Sequence, residues 1–196
     1  MPVETYFRDE DDMPDLEWLA LNECRGAVLD IGAGAGSHSL ILQQRGFDVT
    51  AIDISPLSVK VMQERGVNKA IEGDIFNYNQ GKYDTLLLLM NGIGLAGSIE
   101  GLKHLLNHFK QLLDKGGQLL FDSSDISYLY EGKVPKEGAY YGELWYQYEY
   151  NQKKTEWFKW LYIDELTMQK IAVELGYSMD VLLEDEYGQY LARLTL

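Results

Sequence analysis

The chain has 196 residues, 46% of them hydrophobic and 24% charged, and a formal net charge of −14 at pH 7. That length supports one domain, residues 1–196, with a full core. A strongly negative surface repels phosphate backbones and the 17 lysines and arginines are scattered, so nucleic acid is excluded as a partner. The one cysteine, Cys24, has no internal disulfide partner, which points to a reducing, cytoplasmic setting. No apolar run reaches membrane-spanning length and no signal-peptide pattern opens the chain, so no membrane partner is expected. One cysteine and three scattered histidines make no metal-ligand cluster.

Residues 1–14 are polar and acidic, with Asp9, Glu10, Asp11 and Asp12 in a row. Such a run is ordinarily solvated, although Tyr6, Phe7 and Arg8 stand out within it. Pro14 suits a first helical position, and a helix is predicted over 15–23. Val28, Leu29 and Ile31 then read as a buried strand ending in Gly32-Ala33-Gly34-Ala35-Gly36. Ser37 caps a helix over 38–45 that stops at Gly46. A second strand over 47–52 ends in Asp53, and Ser55-Pro56 starts a helix that ends at Gly66. A third strand follows at 69–72. The fourth, 83–90, contains four consecutive leucines and suits the centre of a parallel sheet, buried on both faces.

Asn91 to Gly97 forms a second glycine-rich loop, and Ser98 caps a long helix. Leu102, Leu105, Leu106, Phe109, Leu112 and Leu113 form its apolar stripe, and Gly116-Gly117 ends it. The fifth strand is 118–121, followed by Asp122. Strands alternating with helices predict a doubly wound, mostly parallel sheet whose strand C-termini share one edge. Gly32–Gly36, Asp53, Asp74 and Asn91 all lie just past strand C-termini and should therefore meet at one cleft.

Residues 126–164 hold eight of the 14 tyrosines and three of the four tryptophans. Strands over 143–150 and 155–163 are predicted to form an inserted hairpin around residues 151–154. The turn can use two to four residues, so the register stays open. Leu144, Tyr146, Tyr148 and Tyr150 alternate onto one face of the first strand. On the second, Phe158, Trp160 and Tyr162 alternate with Trp157, Leu161 and Ile163. Both hairpin faces carry large aromatics in any register, and a lone hairpin must pack on something. One face is expected to line the acceptor pocket and the other to meet a second subunit, giving a homodimer. The alternative is that both faces pack within the chain. A helix over 165–175 and a closing hairpin, 177–183 with 189–196, complete the expected seven-stranded sheet.

The glycine turn has the form G-x-G-x-G, so its third glycine comes one place earlier than in the nicotinamide and flavin fingerprint. Asp30 also precedes the first glycine by two residues, where dinucleotide folds keep the strand apolar. The stretch Val28-Leu29-Asp30-Ile31-Gly32-Ala33-Gly34-Ala35-Gly36 resembles the first motif of the class I S-adenosylmethionine-dependent methyltransferases. The resemblance covers most of the chain and is strongest over 28–75 and in the closing hairpin. It implies a Rossmann-like α/β fold whose sheet ends in an antiparallel strand pair, and S-adenosylmethionine as cofactor.

The resemblance implies roles for particular residues. Asp30 holds the turn and the cofactor's ammonium, while Gly32, Ala33 and Gly34 bring the backbone to its tail and ribose. Asp53 accepts the ribose diol, with the helix-start acid as its plain alternative, and Ile54 lies beside the adenine. Asp74 accepts from the adenine amino group and the Ile75 backbone reads the ring edge; a turn aspartate is the alternative. Asn91 lies near the sulfonium, or is simply a turn-forming Asn-Gly. In the family's amino-methylating members for DNA bases and some proteins, the fourth strand ends in N/D-P-P-Y/F. Here the position reads Asn91-Gly92-Ile93-Gly94, which argues against that subclass.

No catalytic base is assigned. His38 is the nearest titratable group, His104 and His108 are expected to face solvent, and Asp122, Ser123, Ser124 and Asp125 are candidates for holding substrate. The expected function is methyl transfer to a small, partly apolar molecule. Its rivals are a nicotinamide-dependent oxidoreductase and a non-catalytic cofactor-binding or interaction protein on the same fold. Titration with NADH and with S-adenosylhomocysteine separates the first pair.

Overall fold

The computed structural model describes residues 3–131, 133–135 and 138–196. The predicted insertion over 126–164 thus includes three positions, 132, 136 and 137, outside the described residues. Among the described residues no helix is long and apolar enough to cross a membrane.

Short helical turns at Val3–Phe7 and Glu10–Asp12 precede α1 (Asp15–Glu23), with Pro14 at its N-cap. The nucleotide-binding half follows as β1 (Ala27–Ile31), α2 (Ser37–Gln44), β2 (Asp48–Asp53), α3 (Pro56–Arg65), β3 (Ala70–Glu72) and β4 (Tyr83–Leu88). Next come α4 (Ile99–Leu112) and β5 (Leu113–Ser124). The inserted aromatic segment contributes β6 (Glu143–Tyr146), β7 (Glu149–Tyr150), β8 (Lys153–Lys154) and β9 (Phe158–Leu161). The chain closes with α5 (Glu165–Glu174), β10 (Ser178–Glu184) and β11 (Gln189–Thr195).

The main sheet has seven strands in the order β10-β11-β5-β4-β1-β2-β3. β1 through β5 pair in parallel, and β11 runs antiparallel to both β5 and β10. This is the doubly wound sheet with an antiparallel C-terminal pair that the alternation and the closing hairpin predict. Leu86, Leu87 and Leu88 are fully buried, as a central parallel strand requires. The apolar stripe of α4, from Leu102 to Leu112, packs into the larger core with Leu119 and Phe121 of β5.

Several boundaries differ from expectation for local reasons. Ser37 is the first residue of α2 rather than its cap; Gly36 is the N-cap at φ 80°, and Ser37 Oγ donates instead to the Tyr6 carbonyl at 2.9 Å. β4 stops at Leu88 because Met90 and Asn91 adopt left-handed conformations, φ 61° and 56°. α4 ends at Leu112, ahead of the glycine pair. Leu113 is already extended and pairs with Tyr83, and the register then shifts before Thr85 pairs with Gln118. Gly116-Gly117 therefore shapes an irregularity inside β5 instead of ending a helix.

The predicted hairpin exists but is broken in two. β6 pairs with β9, placing Tyr146 opposite Phe158 and Leu144 opposite Trp160. β7 pairs with β8 around a two-residue turn, Asn151-Gln152, with both residues at positive φ as the tight primed turn demands. Lys153 and Lys154 therefore belong to a strand. At the break, Thr155 Oγ1 accepts from the Tyr148 amide at 3.0 Å.

Candidate functional site

One cavity of about 560 Å³ lies at the C-terminal edge of the parallel strands. Gly32, Asp53, Ile54, Asp74, Ile75 and Asn91, from four different strand ends, all line it. Ligands bind at this edge because strand ends and helix starts leave backbone groups and side chains free to converge there.

The glycine turn is built from alternating left-handed residues: Gly32 at φ 71°, Gly34 at 57° and Gly36 at 80°. Side chains with a Cβ avoid this region, which explains the alternate glycines. The amides of Gly32 and Ala33 both donate to the Ile52 carbonyl, at 2.8 and 3.2 Å, and lock the turn to β2. A Cβ on Gly32 would meet no atom within 4 Å. The turn therefore opens onto the cavity at a point where a side chain would occupy ligand space.

Asp53 ends β2 and accepts twice: Oδ2 from the Gly34 amide and Oδ1 from the Ser55 amide, each at 2.8 Å. A carboxylate has about four acceptor sites, so two remain for a ligand. Asp74 behaves similarly, with Oδ1 taking the Phe76 amide at 3.0 Å and Oδ2 the Asn77 side-chain amide at 2.9 Å. Ile54 is 73% exposed at the rim, whereas Ile75 is buried.

Three predicted residues do not line the cavity. Asp30 is buried beneath the turn and accepts from Ser39 Oγ at 2.6 Å; burial pushes its carboxyl pKa up. Ala33 packs on the small apolar cluster of α3 with Val59 and Met62. Gly34 faces Asp53 and the Tyr6 ring, and a Cβ added there would lie 3.8 Å from Tyr6 Cδ1.

Asn91 is held on three sides. Its amide N–H donates to both Asp122 oxygens, at 2.8 and 2.9 Å. Its side-chain oxygen accepts from Ser123 Oγ at 3.1 Å, and its side-chain nitrogen donates to the Leu161 carbonyl at 3.2 Å. Asn91 thus ties the sheet to the inserted hairpin. Asp122 and Ser123 are buried and neither lines the cavity, so the expectation that they hold substrate is corrected: they hold Asn91. Burial raises the Asp122 carboxyl to about 6, against the stabilising bonds from Asn91 and Gln189. Asp125 is likewise a staple, accepting from Tyr141 Oη at 2.7 Å.

The histidines are structural. His38 is buried with Nε2 2.7 Å from Glu17 Oε2, and Arg8 Nη2 lies 2.6 Å from Glu17 Oε1. Burial favours neutral His38, but the Glu17 bond and the Asp30 and Glu17 charges outweigh it and raise its pKa. Burial opposes ionisation of Glu17 too, yet His38 and Arg8 bring its pKa below the usual carboxylate value. His108 does not face solvent freely, since its Nε2 donates to the Tyr78 carbonyl at 2.7 Å; His104 is exposed as expected and meets the Phe76 ring edge-on at 5.7 Å.

The rest of the lining is aromatic and apolar. Tyr146, Tyr148, Phe158, Trp160 and Tyr162 come from the hairpin, Tyr6 from the N-terminal turn, and Leu89, Met90 and Leu95 from the loop after β4. The Tyr6 carbonyl bond to Ser37 and the Arg65 guanidinium, 5.1 Å over the Phe7 ring, dock that turn beside the glycines. Tyr6 and Phe7 stand out within the acidic run in the sequence, and Tyr6 reaches the cavity. The hairpin sits close because glycine permits it: a Cβ on Gly94 would lie 2.1 Å from Trp160 Nε1 and 2.6 Å from the Leu161 carbonyl.

The fold and this site define a class I S-adenosylmethionine-dependent methyltransferase. Residues 11–180 match the family model described as a methyltransferase domain, and the chain belongs to that family. S-adenosylmethionine is the methyl donor that defines the class, which decides against the nicotinamide alternative. A SAM-dependent methyltransferase from Bacteroides fragilis, solved in complex with S-adenosyl-L-homocysteine, is 41% identical with a TM-score of 0.91, covering 100% of this chain and 82% of that one. The cypemycin N-terminal methyltransferase of a Streptomyces species is 29% identical over 102 residues, 50% of this chain and 42% of that protein. The match thus spans less than half of that curated relative's length. A S-adenosylmethionine-dependent methyltransferase from Clostridium acetobutylicum shares the fold at 15% identity and a TM-score of 0.66, covering 95% of this chain and 93% of that one.

Proposed function

We propose that this protein transfers the methyl group of S-adenosylmethionine to a small, partly apolar acceptor held against the aromatic hairpin. The observation that carries the reading is the continuous cavity joining the glycine turn, Asp53, Asp74 and Asn91 to the inner hairpin face. Its volume falls within the range of small-molecule sites, roughly 300–1,000 Å³. When bound, the donor supplies a methyl group on a positively charged sulfur with a good leaving group.

The chain's own residues then bind, orient and exclude water. Asp53 accepts the ribose diol through its two remaining acceptor sites, and its bond to Gly34 sets the turn against the same sugar. Asp74 accepts from the adenine amino group between Ile54 and the Ile75 backbone. Asp30 supports the turn and the ammonium from beneath. Asn91, fixed by Asp122, Ser123 and Leu161, sets the floor beside the methyl. Tyr6 and the hairpin aromatics cover the cleft, and alignment of acceptor and methyl supplies much of the acceleration. The single domain is read over 1–196, with 126–164 as its lid, and the lone buried Cys24 suits a cytoplasmic setting.

Calorimetry with S-adenosylhomocysteine tests this reading. Wild type should bind, and Gly34→Val should not, while keeping a near-native circular dichroism spectrum. Gly34 stands at φ 57°, which a β-branched residue resists, and its new side chain would project toward Tyr6. Failure of wild type to bind removes the central claim, and equal affinity in the two proteins removes the glycine turn from the site.

A further inference from the structure

The inner hairpin face is a cluster of aromatic rings around Phe158. Tyr148 lies 5.2 Å from it, Tyr146 6.2 Å and Trp160 6.4 Å, centroid to centroid, with interplanar angles from 27° to 82°. Tyr162 lies 6.5 Å beyond Tyr146. An aromatic ring carries the negative side of its quadrupole on its faces.

The charged residues lining the cavity are two acids and one lysine that is already paired. Asp53 and Asp74 line it, and Lys159 is the only basic residue among the described lining. Lys159 is drawn to the outer face of the hairpin, where its Nζ is 3.0 Å from Glu143 Oε2 and 5.5 Å from the Trp145 ring centroid. A carboxylate or phosphate acceptor on the hairpin would meet no unengaged cation among the described lining residues. The net charge of −14 adds a field that draws cations toward the protein.

A hydroxyl acceptor needs a base to take its proton. The cavity offers none in a suitable place. Asp122 is buried behind Asn91, and His38 is paired with Glu17 beneath the glycine turn; neither reaches the lining. Asp53 and Asp74 are bonded to backbone amides at the ends of β2 and β3 and, in the methyl-transfer reading, are taken by the ribose and the adenine. Burial raises the Tyr148 and Tyr162 hydroxyl pKa values, which keeps both protonated at neutral pH. A nitrogen brings its own lone pair and requires no base at the transfer step.

Resting on the methyl-transfer reading above, we propose that the acceptor is a small amine, seated as a cation on the ring faces of Tyr146, Phe158 and Trp160. The ammonium loses its proton to bulk water in an equilibrium that precedes closure of the cleft, so the amine is neutral when transfer begins. The nitrogen lone pair then forms the N–C bond as the C–S bond breaks, and sulfur keeps that electron pair as a neutral thioether. A primary or secondary amine finally releases a second proton to water. A tertiary amine ends as a quaternary ammonium, the cation that aromatic faces hold best.

The test uses the full chain saturated with S-adenosylhomocysteine and two neutral-pH probes: choline, a quaternary ammonium, and its isostere with carbon in place of nitrogen. Cation–π attraction at a partly desolvated site predicts choline binding about tenfold more tightly. Trp160→Leu and Tyr146→Leu should each lose most of that preference, and Trp145→Leu, altered on the outer face, should keep it. Turnover should follow the same rule, with phenethylamine methylated and phenylethanol not. Equal affinity for the two probes, a preference that survives both inner-face changes, or methylation of the alcohol alone overturns the amine assignment. Failure of S-adenosylhomocysteine to bind would instead sink the methyl-transfer reading itself.

Discussion

The Gly34 amide donates to Asp53 Oδ2 at 2.8 Å, joining the glycine turn of β1 to the acid at the end of β2. The turn and the acid are therefore one device, since the same carboxylate that shapes the loop presents its free acceptor sites to the cavity.

Removing this carboxylate removes a charged hydrogen-bond acceptor, which costs about 1.5–3 kcal/mol. Asp53→Ala should weaken S-adenosylhomocysteine about tenfold or more in calorimetry. A loss below about twofold, under half a kcal/mol on that scale, would return Asp53 to a purely local role at the start of α3.

How far the sequence was legible depends on the range of the interaction involved. The sheet and its strand ends follow from periodicity and turn chemistry, which are local, so β1, β2 and the cleft edge could be read residue by residue. Gly34 and Asp53 are 19 residues apart, yet each announces itself by type and position. The Asn91 clamp could not be read, because it depends on Asp122, 31 residues away, and on Leu161, 70 away. Asp122 looked like a cleft-edge acid, and only the packing of β5 against β11 turns it inward to Asn91 and Gln189. Tyr6 stood out within its acidic neighbourhood, but its place at the cavity depends on the Ser37 hydroxyl, which local logic had assigned to a helix cap.

Asp74 is bonded to Phe76 and Asn77 through both oxygens, so a shape-preserving change is the informative one. Asp74→Asn lets the side chain present a donor where the adenine amino group also donates. Binding should fall modestly, and an analogue lacking the amino group should lose its disadvantage in the variant. Discrimination that is the same in both proteins would place Asp74 outside the adenine pocket.

The buried His38–Glu17 pair makes a pH prediction. The folded-state pKa of His38 is raised above 6.5, so its stabilising contribution is complete below that value and is lost as pH rises through the folded value. Glu17 is lowered below 4.5, so its contribution is present above 4.5 and lost as pH falls through its folded value. Arg8 and Asp30 face the same pair, and the raised pKa of Asp30 runs in the opposite sense to that of Glu17. The ring resonances of His38 should titrate with a midpoint above 6.5 in NMR. A midpoint below it would mean that burial outweighs the carboxylates.

On the outer face of the hairpin, Trp145 and Trp157 are each 60% exposed. Exposed indoles flanking the Lys159–Glu143 pair are a candidate contact for a second copy of the chain. Wild type should scatter light as a dimer at high micromolar concentration, and Trp145→Glu with Trp157→Glu should scatter as a monomer. A monomeric wild type would leave both rings as isolated surface aromatics.

Gly94 decides whether the hairpin can sit on the loop after β4. An added methyl would come within 2.6 Å of the Leu161 carbonyl, a backbone atom, as well as 2.1 Å from the Trp160 indole nitrogen. The side chain could swing aside, but the strand must move. Overpacking of this kind costs about 1–3 kcal/mol, or about 2–4 °C of Tm per kcal/mol for a chain of this size. Gly94→Ala should therefore lower Tm by several degrees and shift the Trp160 fluorescence toward that of a solvated indole. Because Asp53 and Asp74 are held by Gly34, Ser55, Phe76 and Asn77 rather than by the hairpin, S-adenosylhomocysteine affinity should change far less than acceptor turnover. A variant with wild-type Tm, fluorescence and turnover would show that β9 does not depend on the missing Cβ. Loss of cofactor affinity equal to the loss of turnover would show that the hairpin and the cofactor end of the cleft move as one body.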